Sequence, residues 1–120
     1  MCVKNVLRDK SYKFALEIVV ITKALQERNE FVLSRQLMRS GTSIGANIRE
    51  SEYAQSKKDF INKLSVALKE ANESAYWLDL LKDSNYITDE KHQNLISQNN
   101  ELIAMLISSI KTTKSRLKIE

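Results

Sequence analysis

Arg39-Ser40-Gly41-Thr42-Ser43-Ile44-Gly45-Ala46-Asn47-Ile48-Arg49-Glu50 is a run of small residues set in a chain that otherwise reads as helix from end to end. Gly41 and Gly45 stand four residues apart, so they share one helical face with Leu37, Ile44 and Ile48. That face is a shallow groove between apolar ridges, into which another helix can pack closely. It is a packing device before it is a chemical one.

Outward from this segment, the composition favours long helices. The chain has 120 residues, no proline and two glycines, both within the quoted run. Only polar clusters between apolar stretches can break it. A chain of this length makes one domain with a real core. The lone Cys2 excludes an intramolecular disulfide and fits a reducing compartment. The first ten residues are charged and lack a signal core, and the longest apolar run, Leu102 to Ile107, is too short to span a bilayer. A cytoplasmic protein with no membrane partner is expected.

Four amphipathic helices are predicted, over about 8–27, 32–54, 57–83 and 89–116, giving an all-α, antiparallel up-down-up-down four-helix bundle because the connections are short. In the first helix Phe14, Ile18, Ile21 and Leu25 form one apolar stripe, with Leu16, Val19 and Val20 beside it. That is more apolar surface than one bundle face requires, and part of it is expected to meet another subunit. The alternative is a helix surrounded by a monomer core. Phe31 is expected over the turn around Arg28-Asn29-Glu30. Ser56 and Asp59 have capping-box spacing, and Thr88 with Asp89 and Glu90 starts the last helix. Asn85 is a stop signal. Ala67 and Ala71 of the third helix mark a close approach and are paired here with Gly41 and Gly45 across the hairpin. The same hairpin sets Arg39 opposite Glu73 and Arg35 near Trp77, predicting an ion pair and a cation-π contact. Ile96, Ile103 and Ile107 join Leu95, Leu102, Leu106 and Ile110 on the apolar face of the fourth helix, interrupted by Asn99 and Asn100.

The formal charge of +4 polarises once this topology distributes it. Twelve cations (Lys4, Arg8, Lys10, Lys13, Arg49, Lys57, Lys58, Lys63, Lys111, Lys114, Arg116 and Lys118) fall at one end with five carboxylates (Asp9, Glu50, Glu52, Asp59 and Glu120), a surplus of +7 that leaves −3 for the remainder. Such a cluster attracts phosphate by counterion release. Equally, lysines near helix C-termini complement the helix dipole and keep a tail soluble. Aromatic residues do not alternate with the cations and no recognition-helix motif is present, so backbone or shape is the expected object of binding.

Catalysis finds little support. His92, the single histidine, follows Asp89 at the carboxylate-x-x-His spacing of di-iron bundles, but such a site needs a second motif on another helix. Cys2 has no fixed base beside it. Glu70 and Glu73, with Asn47, Asn72 and Ser43, can gather as a polar cluster facing the second helix. In a bundle, such groups more often satisfy one another or fix register than do acid-base work. The glycines lack Walker spacing and its Lys-Ser or Lys-Thr. No enzyme activity, cofactor or metal is expected. Arg39, Gly41, Ser43, Ile44, Gly45, Asn47, Glu70, Glu73 and Trp77 are assigned to helix packing or assembly.

Gln36-Leu37 leading into the quoted run, then Ser56 with Asp59-Phe60, then Ala67-Leu68-Lys69-Glu70-Ala71-Asn72-Glu73 before Tyr76-Trp77-Leu78, are similar in order and spacing to the four-helix proteins encoded within intervening sequences of bacterial 23S ribosomal RNA genes. The resemblance spans about Tyr12 to Lys114; Gly41 departs from it, alanine being more usual there. It implies a four-helix bundle assembling as a homopentameric ring and implies no enzymatic activity. The accessory proteins of diversity-generating retroelements are similar too, as basic pentameric barrels that bind nucleic acid and a reverse transcriptase, but a shared fold does not establish function. The expectation is a non-enzymatic ring that partners itself and binds RNA or DNA backbone through its basic end. The alternative is a scaffold or accessory subunit for a protein partner, with a basic end that is only solvated.

Overall fold

In the computed structural model, residues 3–119 are described. Met1, Cys2 and Glu120 lie outside the described residues, as do the side chains of residues 3–5 and 119, so Cys2 and two of the charges counted above, Lys4 and Glu120, are not placed. The described chain is all-α. Its four helices are α1 (Val3–Glu27), α2 (Val32–Ser51), α3 (Lys57–Asp83) and α4 (Asp89–Ile119), with no strand among the described residues.

Local chemistry fixes the boundaries. Asn29 and Asn85 both take positive φ, 64° and 66°, a conformation asparagine tolerates better than most residues. Around them the Glu30 and Tyr86 amides donate back to the Leu25 and Leu81 carbonyls at 2.9 and 2.8 Å, closing α1 and α3 in the same way. Ser56 is extended and its Oγ accepts from the Asp59 amide at 3.0 Å, while Asp59 Oδ2 accepts from the Gln55 amide at 3.2 Å. Thr88 Oγ1 accepts from the Lys91 amide in the same manner.

Three ends differ from the sequence expectation. α1 begins at Val3 rather than Arg8, because Leu7 is buried in the core and its packing supports an earlier turn. α2 stops at Ser51 rather than Ala54, since the Glu52, Tyr53 and Ala54 amides donate to carbonyls only three residues back, a tightened turn that leads into the extended Ser56. α4 runs to Ile119 rather than Arg116, no proline or glycine being present to end it. The start of α2 is also capped by an unanticipated group. Phe31 is exposed and makes no side-chain cap, while the Glu30 carboxylate accepts from the Leu33 and Ser34 amides at 3.1 and 2.8 Å.

One core runs through the molecule, built from Phe14, Ile18 and Leu25 of α1, Leu37, Ile44 and Ile48 of α2, Leu64, Ala67, Ala71, Leu78 and Leu81 of α3, and Leu95, Leu102, Leu106 and Ile110 of α4. Ile21, Phe60, Ile96 and Ile103 pack half-buried against it, whereas Ile107 turns outward. α1 is not enclosed, for Leu16 and Val20 remain 52% and 68% exposed.

α2 packs closely on both α1 and α3, α3 on α4, and α1 least closely on α4. Between α1 and α2, Arg8 meets Glu52, Ser11 meets Gly45, Ile18 meets Gly41 and Thr22 meets Met38. Between α2 and α3, Ser40 and Ser74 share a buried hydrogen bond of 2.9 Å, and Lys63 approaches Glu50 at 3.5 Å. Asn99 of α4 donates to the Ala71 carbonyl of α3 at 2.8 Å, and His92 meets Asp79 at 2.8 Å. Between α1 and α4, Glu17 accepts from Asn94 and Gln98.

The glycines therefore face α1, not the alanines of α3. A Cβ on Gly41 would stand 3.0 Å from both Ile18 Cγ1 and Cγ2, whereas one on Gly45 would meet Ser11 Oγ at an ordinary 3.4 Å. Alanine gains about 0.5–1 kcal/mol over glycine inside a helix. Denaturant unfolding should accordingly show Gly45→Ala stabilised by about that amount, while Gly41→Ala gains less because Ile18 must shift.

Candidate functional site

Two groups of residues come together. The first is the seam between α2 and α3. Core positions three to four apart place Gln36, Arg39 and Ser40 on the α2 edge that meets Glu70, Glu73, Ser74 and Trp77 of α3. The Arg39 guanidinium donates to Glu70 Oε2 at 3.1 Å, to Gln36 Oε1 at 3.2 Å and to Glu73 Oε2. Trp77 Nε1 donates to the same Glu73 oxygen at 2.9 Å. Both carboxylates are thus committed to a fork of charge-assisted bonds, an arrangement that fixes register and leaves neither placed as a general base.

Other members of the expected cluster stand elsewhere. Asn47 Nδ2 donates to the Ser43 carbonyl within α2, and Asn72 is exposed. Ile44 lies in the core. Arg35 makes no cation-π contact with Trp77, whose ring instead meets Tyr76 edge-on at 5.0 Å. Cation-π contacts among the described residues include Arg28 over Tyr86 and Arg49 over Tyr12, each at 5.1 Å. His92 is held by Asp79, and no group of three or more His, Cys, Asp or Glu suited to a metal is found among the described residues.

The second group is cationic. The start of α1, the end of α2, the start of α3 and the end of α4 all border one cavity of about 440 Å³, lined by Leu7, Ile48, Ser51, Phe60, Leu64, Ser108, Ser109, Thr112, Thr113 and Arg116. Part of the counted charge is neutralised within the protein. Arg8 meets Glu52 at 3.3 Å and Asp9 at 3.7 Å, Lys10 pairs with Glu101, Lys63 with Glu50, and Arg49 covers Tyr12. Lys13 is exposed in the α1/α4 cleft beside Lys10, Gln98 and Glu101, and Lys57 is half-buried at the start of α3. Lys58, Lys111, Lys114, Arg116 and Lys118 remain exposed, with no carboxylate partner among the described residues.

A third surface joins them. On α1, Tyr12, Leu16 and Val20 recur every fourth residue and all are exposed, Tyr12 by 52%. Beside them Ala15, Thr42, Gly45 and Ala46 line a cavity of about 340 Å³ between α1 and α2, with Arg8 and Arg49 at its edge. Ser40, Ser74 and Asn99 were not anticipated as site residues. Their signal is positional, each falling on a core stripe where an apolar residue is otherwise expected.

These features define an all-α protein of four helices, joined by a small-residue seam and carrying a cationic patch. The chain belongs to the 23S rRNA-intervening sequence protein family, whose model matches residues 4–108. Among solved structures it is similar to a protein of unknown function from the S23 ribosomal protein family of Bacteroides thetaiotaomicron VPI-5482, with 55% identity, 92% of this chain and 99% of that one covered, and a TM-score of 0.89. No curated protein matches. No helix among the described residues is long and apolar enough to cross a membrane.

Arg39 is half-exposed, so its pairs are screened by solvent and should contribute modestly. A double-mutant cycle on Arg39→Ala and Glu73→Gln should give a coupling of about 0.5–1 kcal/mol that shrinks at high salt. Trp77 fluorescence, sensitive to loss of the Glu73 bond, should shift in both single variants.

Proposed function

We propose that this is a non-enzymatic cytoplasmic protein that assembles as a homopentameric ring of antiparallel, up-down-up-down four-helix bundles and binds RNA or DNA backbone without sequence preference. The topology is supported by the order of contacts, in which rising numbers in one helix meet falling numbers in the next: Arg8, Ser11, Ile18 and Thr22 against Glu52, Gly45, Gly41 and Met38. Assembly is supported by the exposed Tyr12, Leu16 and Val20 row, a surface a lone protomer leaves in water. The number five rests on family resemblance.

The observation that carries the nucleic-acid role is the group of five exposed cations, Lys58, Lys111, Lys114, Arg116 and Lys118, which have no carboxylate partner among the described residues, whereas Arg8, Lys10 and Lys63 are paired. Unpaired cations at one end can each displace a condensed counterion from phosphate, and fivefold symmetry multiplies them. Nothing in their arrangement reads base edges.

Nuclease-treated protein should have the mass of a pentamer by light scattering, and Leu16→Lys with Val20→Lys should reduce it to a monomer of unchanged helicity. Binding to a labelled structured RNA should fall steeply between low and moderate salt. Charge reversal at Lys57, Lys58, Lys111 and Lys114 should abolish it with little effect on folding. Binding indifferent to both salt and reversal would overturn the nucleic-acid role.

A further inference from the structure

A closed ring needs two different faces on each protomer, because a patch that pairs with its own copy makes a dimer and stops there. The row Tyr12, Leu16 and Val20 supplies one face. The second has to lie on another helix and at the same height, since rotation about an axis running along the bundle leaves heights unchanged.

Height can be carried across the protomer through α2. Gly41 of α2 holds Ile18 of α1 on one side, and its neighbour Ser40 bonds to Ser74 of α3 on the other at 2.9 Å. Ile18 and Ser74 are therefore level. In the proposed topology α1 and α3 run the same way, so Val20 is level with Tyr76. Among the described residues, Tyr76 is the large apolar side chain that α3 leaves in solvent, 57% exposed. It is backed by Trp77, which its ring meets edge-on and whose indole is held by Glu73. The other exposed large apolar side chains outside α1 do not fit. Phe31 and Val32 stand at the start of α2 and Tyr53 just past its end, while Ile107 lies beyond Glu101, the partner of Lys10, and so falls level with the start of α1. α1 and α3 do not touch one another within the protomer, so they occupy opposite corners and their outer faces can be covered at once.

Charge agrees with this match. Lys23 continues the α1 row past Val20, and Asp83 continues the line of Tyr76 two turns on. Both are exposed, and neither has an ion pair among the described residues. Lys13, which would otherwise come level with Lys69, stands in the α1/α4 cleft beside Glu101. Resting on the ring proposed above, we infer that the α1 row of one copy docks on the outer face of α3 of the next, with Leu16 and Val20 against Tyr76 and Lys23 reaching Asp83. The contact is head-to-tail: each copy presents α1 to one neighbour and α3 to the other.

Mixing two assembly-defective variants tests this. Leu16→Lys with Val20→Lys removes the α1 face and keeps α3, whereas Tyr76→Lys removes the α3 face and keeps α1. Each alone should be a folded monomer by light scattering and circular dichroism. Their equimolar mixture should give a one-to-one dimer, joined by the remaining pair of intact faces and unable to grow. Independently, Lys23→Glu should move dissociation of the ring to several-fold higher protein concentration, and adding Asp83→Lys to the same chain should reverse that shift. This swap carries the test if Tyr76→Lys fails to fold. A ring that survives Tyr76→Lys, a mixture that stays monomeric, or a Lys23→Glu change that has no effect or is not rescued overturns the α3 docking face while leaving the ring in place. Unmodified protein that is itself a monomer or a dimer overturns ring and docking face together.

Discussion

The closeness of α2 to both of its neighbours sets the rest of the structure. On one side Gly41 has no Cβ and Ile18 of α1 occupies the space, with carbons 3.0 Å from where that atom would be. On the other, Ser40 and Ser74 meet through a buried hydrogen bond that satisfies both hydroxyls as the two backbones draw together. Neither contact contributes much apolar area. What they contribute is position, because packing at these distances admits one register and penalises others. Once α2 is fixed, Arg39 has no choice but to lie over Glu70 and Glu73, and Glu73 is in reach of Trp77.

The periodic positions were legible in the sequence. Phe14, Ile18 and Leu25, and Leu64, Ala67, Ala71, Leu78 and Leu81, stand in the core where a 3.6-residue period puts them. The Ser56–Asp59 cap and the asparagine stop at Asn85 were legible too, because their chemistry is local. What was not legible is which small residue serves which neighbour. Gly41 and Ala71 carry no mark of direction: a gap in a helix surface is open to any helix, and only the larger side chains opposite decide. Ile18 fills the first gap, and Asn99 reaches across the second to the Ala71 carbonyl. Asn99 also shows why an apolar face interrupted by a polar residue is ambiguous, since it is fully buried and its Oδ1 lacks a partner among the described residues. It spends stability at that point in return for a specific cross-helix bond.

Charge was legible as a total and not as a distribution. Counting cations at one end treats each as available, yet a long side chain a turn away from a carboxylate pairs with it. Arg8, Lys10 and Lys63 do so, and Arg49 lies on an aromatic ring instead. Most of the cations without a carboxylate partner among the described residues of this end, Lys111, Lys114, Arg116 and Lys118, are on the last turns of α4, and α4 runs further than its sequence signals suggest. Residues 102–119 of α4 include no acid, so the same stretch that extends the helix also holds cations that have no carboxylate partner among the described residues.

The packing is uneven, and the unevenness falls on α1. It presses tightly on α2 but least closely on α4, where polar side chains such as Glu17, Asn94 and Gln98 bridge the pair and two clefts remain. Its outer face keeps Tyr12, Leu16 and Val20 in solvent. A helix bound firmly along one side and loosely along the other, with its apolar residues facing out, is stabilised by the α2–α3 hairpin and not by full enclosure. Its exposed row can then change partners at little cost to that hairpin, which separates the residues that specify the fold from those that remain free to engage something outside it.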